Sequence, residues 1–409
     1  MLVQRDLLLS IVVPTRNRAQ YAIPMIKSIL DLDGSVFELV ISDNSDNNLL
    51  EEWVRAQKSD PRLRYERVSE PLSMTQNHNC AFARARGEYI CLIGDDDTVL
   101  PSIVAACEWA RAEDIDAITP DTPLRYCWPD LRSRYWGAGQ AGKLFMDPWE
   151  LRVWKGQPAD ESLACSLRAG QGSGWLPKVY HGVVRRRCLE ALREATGAYC
   201  YSVSPDVYLA LSLAPYVRRQ ACTNAPLTIP GASGGSNSGR AAMRRHKGDL
   251  RKDPHMIRFA AEEWPLGVPC FFSVETVWAQ AALEAIRRGD SKDLANAFNF
   301  SMLYVLCFIG HMDYRKEILD SFRALKVERR GGGIGWVDLL REGGRELGRR
   351  GAYYLRRLTR PTPRGFSVEF GPYEEIQIAK TDILRRFEPI LSWPCSVSWS
   401  VLGTEQNAS

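Results

Sequence analysis

Two acidic clusters, each at the end of an apolar run, are the residues in this sequence best placed to do chemistry. Asp95-Asp96-Asp97 follows Tyr89–Ile93 and Gly94, and Ser42-Asp43-Asn44-Ser45-Asp46 follows Phe37–Ile41. Three adjacent carboxylates at a buried strand end repel one another and are costly to desolvate unless a cation compensates. Mg²⁺ or Mn²⁺ would do so, because hard ions prefer oxygen ligands and are commonly held by one or two carboxylates together with substrate phosphates. An acidic triplet by itself is also an ordinary solvated turn, and the position at a strand end is what favours a site. Asp43 could accept hydrogen bonds from a nucleoside base or ribose, although Ser42–Asp46 also reads as a capping turn before a helix. Thr15, Arg16 and Arg18 follow Pro14 at the end of a third apolar run, where a donor nucleotide would also sit.

The elements that must position these groups alternate. Leu7–Val13, Phe37–Ile41, Leu63–Val68 and Tyr89–Ile93 read as strands, with helical spacing over Ala19–Leu30, Leu49–Gln57, Thr75–Arg86 and from Pro101 to Ala112. This pattern predicts an α/β fold with a doubly wound, mostly parallel sheet, followed by a helical C-terminal domain. Such sheets bind ligands beyond the carboxyl ends of their strands, so the three polar clusters converge on one crevice. The pattern weakens over 120–174 and resumes at Val179–Val184, Cys188–Arg193 and Pro205–Leu213. Gly231–Gly239, with four glycines and three serines, reads as a mobile loop. The expected division is residues 1–240 as the ligand-binding α/β domain and 241–409 as a helix-rich domain, with helices at Val274–Arg288, Leu294–Gly310 and Tyr314–Leu325.

The 409 residues are 45% hydrophobic and 25% charged, which excludes wholesale disorder and allows two folded domains. The formal charge of +4 is local: residues 341–364 hold eight arginines against Glu342 and Glu346, or +6, leaving −2 elsewhere. That stretch, with Tyr353, Tyr354 and Leu355, reads either as a solvated helix face or as a peripheral contact with an anionic membrane surface, and its glycines at 343, 344, 348 and 351 argue against a long stable helix. No nucleic-acid-binding motif is present, so no nucleic-acid partner is expected. The eleven cysteines show no C-x-x-C pairing and read as buried free thiols. Arg5 and Asp6 precede a strand rather than the apolar core of a signal peptide, and Phe298–Gly310 is about half the length that crosses a bilayer. A cytoplasmic protein, in one reading peripheral on the inner membrane face, is expected.

Leu9-Ser-Ile-Val-Val-Pro-Thr-Arg-Asn-Arg18, Glu38-Leu-Val-Ile-Ser-Asp-Asn-Ser45, Asn79 eight residues before Gly87-Glu-Tyr-Ile90, and Gly94-Asp-Asp-Asp97 followed by Pro101 resemble, in order and spacing, the family 2 inverting glycosyltransferases. The resemblance covers about residues 7–120. It is looser from Gly174 to Asp206, through Tyr180-His-Gly-Val-Val-Arg-Arg-Arg187 and Ser204-Pro-Asp206. It implies an A-type glycosyltransferase fold binding a nucleotide sugar, UDP-sugars favoured, with Mg²⁺ or Mn²⁺, and a glycan or glycoconjugate acceptor. By position it implies donor contacts from Pro14, Thr15, Arg16, Arg18, Asp43, Asn79 and Asp95, and metal contacts from Asp96 or Asp97. Gly94 stands where the family often has an aspartate. Asp206 is the implied general base, although Ser204-Pro205-Asp206 is also a good helix opening. Arg240, as a donor contact, and His246, as a further metal contact, lie where a closing loop could meet the diphosphate, or else on a solvated basic linker. A nucleotidyltransferase is disfavoured because Pro14–Arg18 lacks glycine, and a non-catalytic scaffold of the same fold is the other alternative. The helical domain would shape the acceptor site or support a homo-oligomer.

Overall fold

The computed structural model describes residues 7–148, 150–170, 172–243, 247–250, 252, 256, 264–289, 297–329, 334–362, 364–391 and 393. The four expected strands become neighbouring parallel strands, β1 (Leu9–Thr15), β2 (Phe37–Asp43), β3 (Leu63–Arg67) and β4 (Tyr89–Leu92), in the order β3-β2-β1-β4. Alternate side chains face opposite ways, as the period of two requires. Ile11, Val13, Leu39, Ile41 and Cys91 pack on one face with helix Ala19–Leu30, whereas Val12, Val40, Ile90 and Leu92 pack on the other with Phe82. Val183–Arg185 joins β4 antiparallel and leads to Ala117–Pro120, Gln220–Thr223 and the edge strand Val153–Lys155. Six of the eight strands run one way, and the two opposed ones are Val183–Arg185 and Val153–Lys155. The expected mostly parallel α/β sheet with helices following it is therefore present.

A second sheet, in the order Gly231–Ala232, Leu124–Cys127, Leu144–Met146, Val368–Phe370, abuts the first. Its apolar side joins Tyr21, Trp128 and the helix Ile376–Leu391 in one cluster, so the last described helix docks on the first. Helices Val274–Arg288 and Phe300–Gly310 share a cluster with Tyr208, Leu209 and Leu213. Segments on both sides of residue 240 thus contribute to common cores. Among the described residues no helix is long and apolar enough to cross a membrane, and the ten described cysteines are free thiols, most of them buried.

Two local expectations are corrected. Gly231–Gly239 is not an unstructured loop: it holds a short strand, and Ser236 caps the helix Asn237–Ala242 by accepting from Gly239 N at 3.1 Å. Residues 336–358 form one continuous helix despite four glycines. Gly344, Gly348 and Gly351 face open space, and buried Glu342 and Glu346 pair with Arg345, Arg349 and Arg350 one turn along, offsetting the entropic cost of glycine.

Lys380, on the last helix, is buried, and its ammonium donates to the Ser28 carbonyl at 2.6 Å. Burial lowers its pKa from 10.5 to about 8, with Asp31 opposing. Between those values the unfolded chain holds a proton that the folded chain has lost, so folding stability rises with pH across that window. Urea unfolding from pH 7 to 10.5 should show this rise. Lys380→Met should flatten it and be more stable than the parent at pH 7, by on the order of 1–3 kcal/mol.

Candidate active site

A cavity of about 810 Å³ opens beyond the carboxyl ends of β1 and β4. Its wall begins where β1 stops. The turn Pro14–Arg18 reverses through Asn17, whose φ of 56° lies in the left-handed region that asparagine tolerates better than most residues, and whose side chain is locked to Asp46. That turn delivers Thr15 and Arg18 to the acidic triplet. Thr15 Oγ1 donates to Asp95 Oδ2 at 2.6 Å, Arg18 Nε donates to Asp95 Oδ1 at 2.6 Å, and Arg18 Nη2 reaches Asp96 Oδ2 at 3.0 Å. Ser233 completes the arrangement, accepting from Arg18 at 2.8 Å and donating to Asp96 Oδ2 at 2.6 Å.

Asp97 points inward. It accepts the backbone N–H of Gly231 and of Gly94, each at 2.6 Å, and the Tyr180 hydroxyl at 3.2 Å. Close approach requires the first of these glycines: a Cβ on Gly231 would sit 1.8 Å from the Asp96 carbonyl oxygen. Burial raises the Asp97 pKa while those two amides pull it back. Burial and the Asp97 charge raise that of Asp96, while Arg18 and Ser233 oppose. Burial works against a charged Arg18, but Asp95 and Asp96 outweigh it and hold the guanidinium protonated.

The structure brings Pro14, Thr15, Arg16, Arg18, Asp95, Asp96 and Asp206 to one cavity. Asp206 is the second residue of the helix Pro205–Leu213 and accepts from Ser204 Oγ at 2.7 Å. Phe272, Val277 and Trp278, from the C-terminal half, supply an apolar wall. Several expected residues are elsewhere. Asp43 is fully buried beneath the wall, its oxygens taken by Ser45 and by the Tyr65 hydroxyl at 2.8 Å. Its neighbour Asn44 lines the cavity and fastens the chain at Val68, Glu70 and Leu72. Asn79 pairs both ways with the Cys200 backbone at 2.8 and 2.9 Å. Asp97 lies behind the wall, Arg240 lies over the Phe272 ring at 5.6 Å rather than in the lining, and His246 is outside the described residues.

Four residues that shape the site carried no distinguishing sequence signal: Asn17, Asn77, Tyr180 and Ser233. Asn77 holds the ends of β1 and β2 together through the carbonyls of Thr15 and Ser42. Asn17 and Tyr180 lie within the stretches that carry the family resemblance, Ser233 within the glycine- and serine-rich run and Asn77 within the expected helix Thr75–Arg86, none of them marked out by its own type.

Among the described residues no group of three or more histidine, cysteine or acidic side chains is arranged to hold a metal ion. Asp96 nonetheless fits a cation: it lines the cavity, both of its hydrogen-bonded contacts fall on one oxygen, and burial beside Asp97 leaves its charge under-compensated. Removing the existing compensation is testable. Arg18→Met would leave two buried carboxylates unpaired and should cost about 3–5 kcal/mol in urea unfolding. Asp96→Asn added to that variant should recover part of the loss, and a loss that the second substitution leaves untouched would assign Arg18 to packing alone.

Residues 10–148 match the family described as Glycosyl transferase family 2. A protein of Escherichia coli (strain K12) named for colanic acid biosynthesis glycosyl transfer, WcaA, is 39% identical over 97 residues, 23% of this chain and 34% of its own length. The uncharacterized protein y4gI of Sinorhizobium fredii is 34% identical over 97 residues, 11% of its length. The chain thus spans about a third or less of these relatives. Among solved structures, S. aureus TarS 1–349 in complex with UDP-GlcNAc gives a TM-score of 0.43 at 13% identity, covering 80% of this chain and 93% of that one. The mannosyltransferase PcManGT from Pyrobaculum calidifontis, in complex with GDP-Man and Mn²⁺, gives 0.37 at 14%, covering 80% and 88%. β2, β4, Arg18 and the acidic triplet all lie inside the stretch, residues 10–148, that matches glycosyl transferase family 2.

Proposed function

We propose that this protein transfers a glycosyl group from a nucleotide diphosphate sugar to an acceptor hydroxyl, with inversion at the anomeric carbon. The observation that carries the reading is the shared cavity: family-matched Arg18, Asp95 and Asp96 line the same wall system as Asp206, which lies more than a hundred residues away in the chain. In this reading residues 1–240 bind the donor and carry out the chemistry. Residues 241–409 supply the apolar wall, Phe272, Val277 and Trp278, against which the acceptor lies.

The roles follow from placement. Asp95, oriented by Thr15 and Arg18, offers its oxygens to donor hydroxyls. At the start of the helix Ala19–Leu30 the amides of Tyr21 and Ala22 go to the Arg18 carbonyl, and with no side-chain cap those of Ala19 and Gln20 are left for donor phosphate oxygens in this reading. Asp96 would hold Mg²⁺ or Mn²⁺ together with the diphosphate, and the bound ion would neutralise charge on the departing group. Asp206 takes the acceptor hydroxyl's proton as that oxygen attacks opposite the diphosphate, and the hydroxyl of Ser204 orients the carboxylate. Asp43 and Asn79 act indirectly here, by fixing the turn after β2 and the approach to the Asp206 helix. UDP-sugars are the favoured donors.

Two variants separate these roles. Asp96→Ala should abolish the Mn²⁺-dependent rise in melting temperature produced by UDP. Asp206→Asn should keep that rise and lower transfer by at least about 100-fold in a donor-consumption assay. Full turnover in Asp206→Asn would remove it as the base, and a UDP response independent of both Asp96 and added metal would remove the metal from the reading.

A further inference from the structure

The eight arginines of residues 341–364 divide into two sets. Arg341, Arg345, Arg349 and Arg350 are each paired with Asp338, Glu342 or Glu346. Beyond residue 350 the pairing stops: among the described residues, Arg356, Arg357, Arg360 and Arg364 have no carboxylate within ion-pair distance. Three of these, Arg356, Arg357 and Arg364, instead line a second cavity, of about 760 Å³, with Arg125 from the second sheet, which likewise has no described ion pair. The described lining contains one acidic residue, Asp147, and it accepts a hydrogen bond from Ser367. Four arginines against one aspartate leave +3 on this cavity.

The arrangement is built rather than loose. Arg357 donates to the carbonyls of Arg360 and Thr362, holding the chain reversal that brings Arg364 back to the cavity. Gly365 fits against that guanidinium with a φ of 62°, and a Cβ there would lie 3.2 Å from Arg357 Cζ. Arg356 lies over the Phe366 ring at 5.0 Å and Arg125 over Phe145 at 5.1 Å, contacts that position a guanidinium plane without neutralising it. Planar guanidinium forks match phosphate oxygens two at a time, and several around one enclosure favour a small polyanionic group over a long charged backbone.

We propose that this cavity binds a phosphate- or diphosphate-bearing ligand. Its wall includes Pro230 and Ala242, whereas Gly231 and Ala241 line the cavity that holds Asp96, so the two sites share the segment 230–242. The assignment stands on the charge and shape of the second cavity and does not depend on glycosyl transfer.

The probe is inorganic pyrophosphate, titrated calorimetrically into the full chain with EDTA present. Arg356→Gln/Arg364→Gln should bind at least about ten-fold more weakly than the parent, with an unchanged melting temperature. Arg323→Gln/Lys326→Gln, which removes the same charge from exposed positions on another helix, should bind like the parent. Absent binding in the parent, equal weakening in both variants, or full retention in the first would each overturn the proposal. Flotation with phosphatidylcholine vesicles, with and without phosphatidic acid, identifies the source of the phosphate. Capture by phosphatidic acid that is lost in Arg356→Gln/Arg364→Gln assigns it to a lipid headgroup, and pyrophosphate binding without capture assigns it to a soluble ligand.

Discussion

Three carboxylates gathered at the end of a buried strand are the constraint around which the rest of the site is arranged. In a medium of low dielectric their repulsion is strong, and each charge lost from water must be answered by a counter-charge or by donors. Arg18 answers two of them at once, and its ability to do so depends on register. β1 pairs with β4 so that Val12 faces Leu92, which sets the turn after Thr15 beside Asp95. A slip of one residue would invert every side chain of β1 and carry the arginine away. The sheet therefore brings the charges together, and the ion pairs hold the turn that follows it.

Adjacency in the chain does not give the three carboxylates one role. Asp95 is tied to the turn after β1. Asp97 faces inward and gathers the amides of Gly94 and Gly231, so it fastens the second sheet to the first. Asp96 shares the wall with Asp95, but its contacts with Ser233 and Arg18 both fall on one oxygen, whereas those of Asp95 use both. Its neighbours' environments, more than its own residue type, make it the one suited to a cation.

The sheet was readable because β1, β2 and β4 are mostly apolar runs, and a strand buried on both faces leaves no other economical reading. The convergence of Pro14–Arg18 and Asp95–Asp97 followed from the same logic. Asp43 was placed by that logic too, yet Tyr65 on the neighbouring strand and Ser45 two residues on draw its carboxylate under the wall. Ser233 was not readable: its partner Asp96 is 137 residues away, and a run rich in glycine and serine resembles a linker in composition alone. The same limit applies to Ile376–Leu391, where helical periodicity says nothing of the docking on Tyr21 that returns the chain to its beginning. It applies again to Trp336–Leu358, where glycine propensity is outweighed by carboxylates buried on the helix's inner face.

Segment 230–242 ties these observations together. Gly231 has no room for a side chain because it lies against the Asp96 backbone, and Ser233, two residues on, holds the Asp96 carboxylate. The same segment, through Pro230 and Ala242, walls the arginine-lined cavity. Packed interiors transmit displacement because they have little free volume. The two cavities thus share one short stretch of backbone, held at Asp97 by an amide and at Asp96 by a hydroxyl.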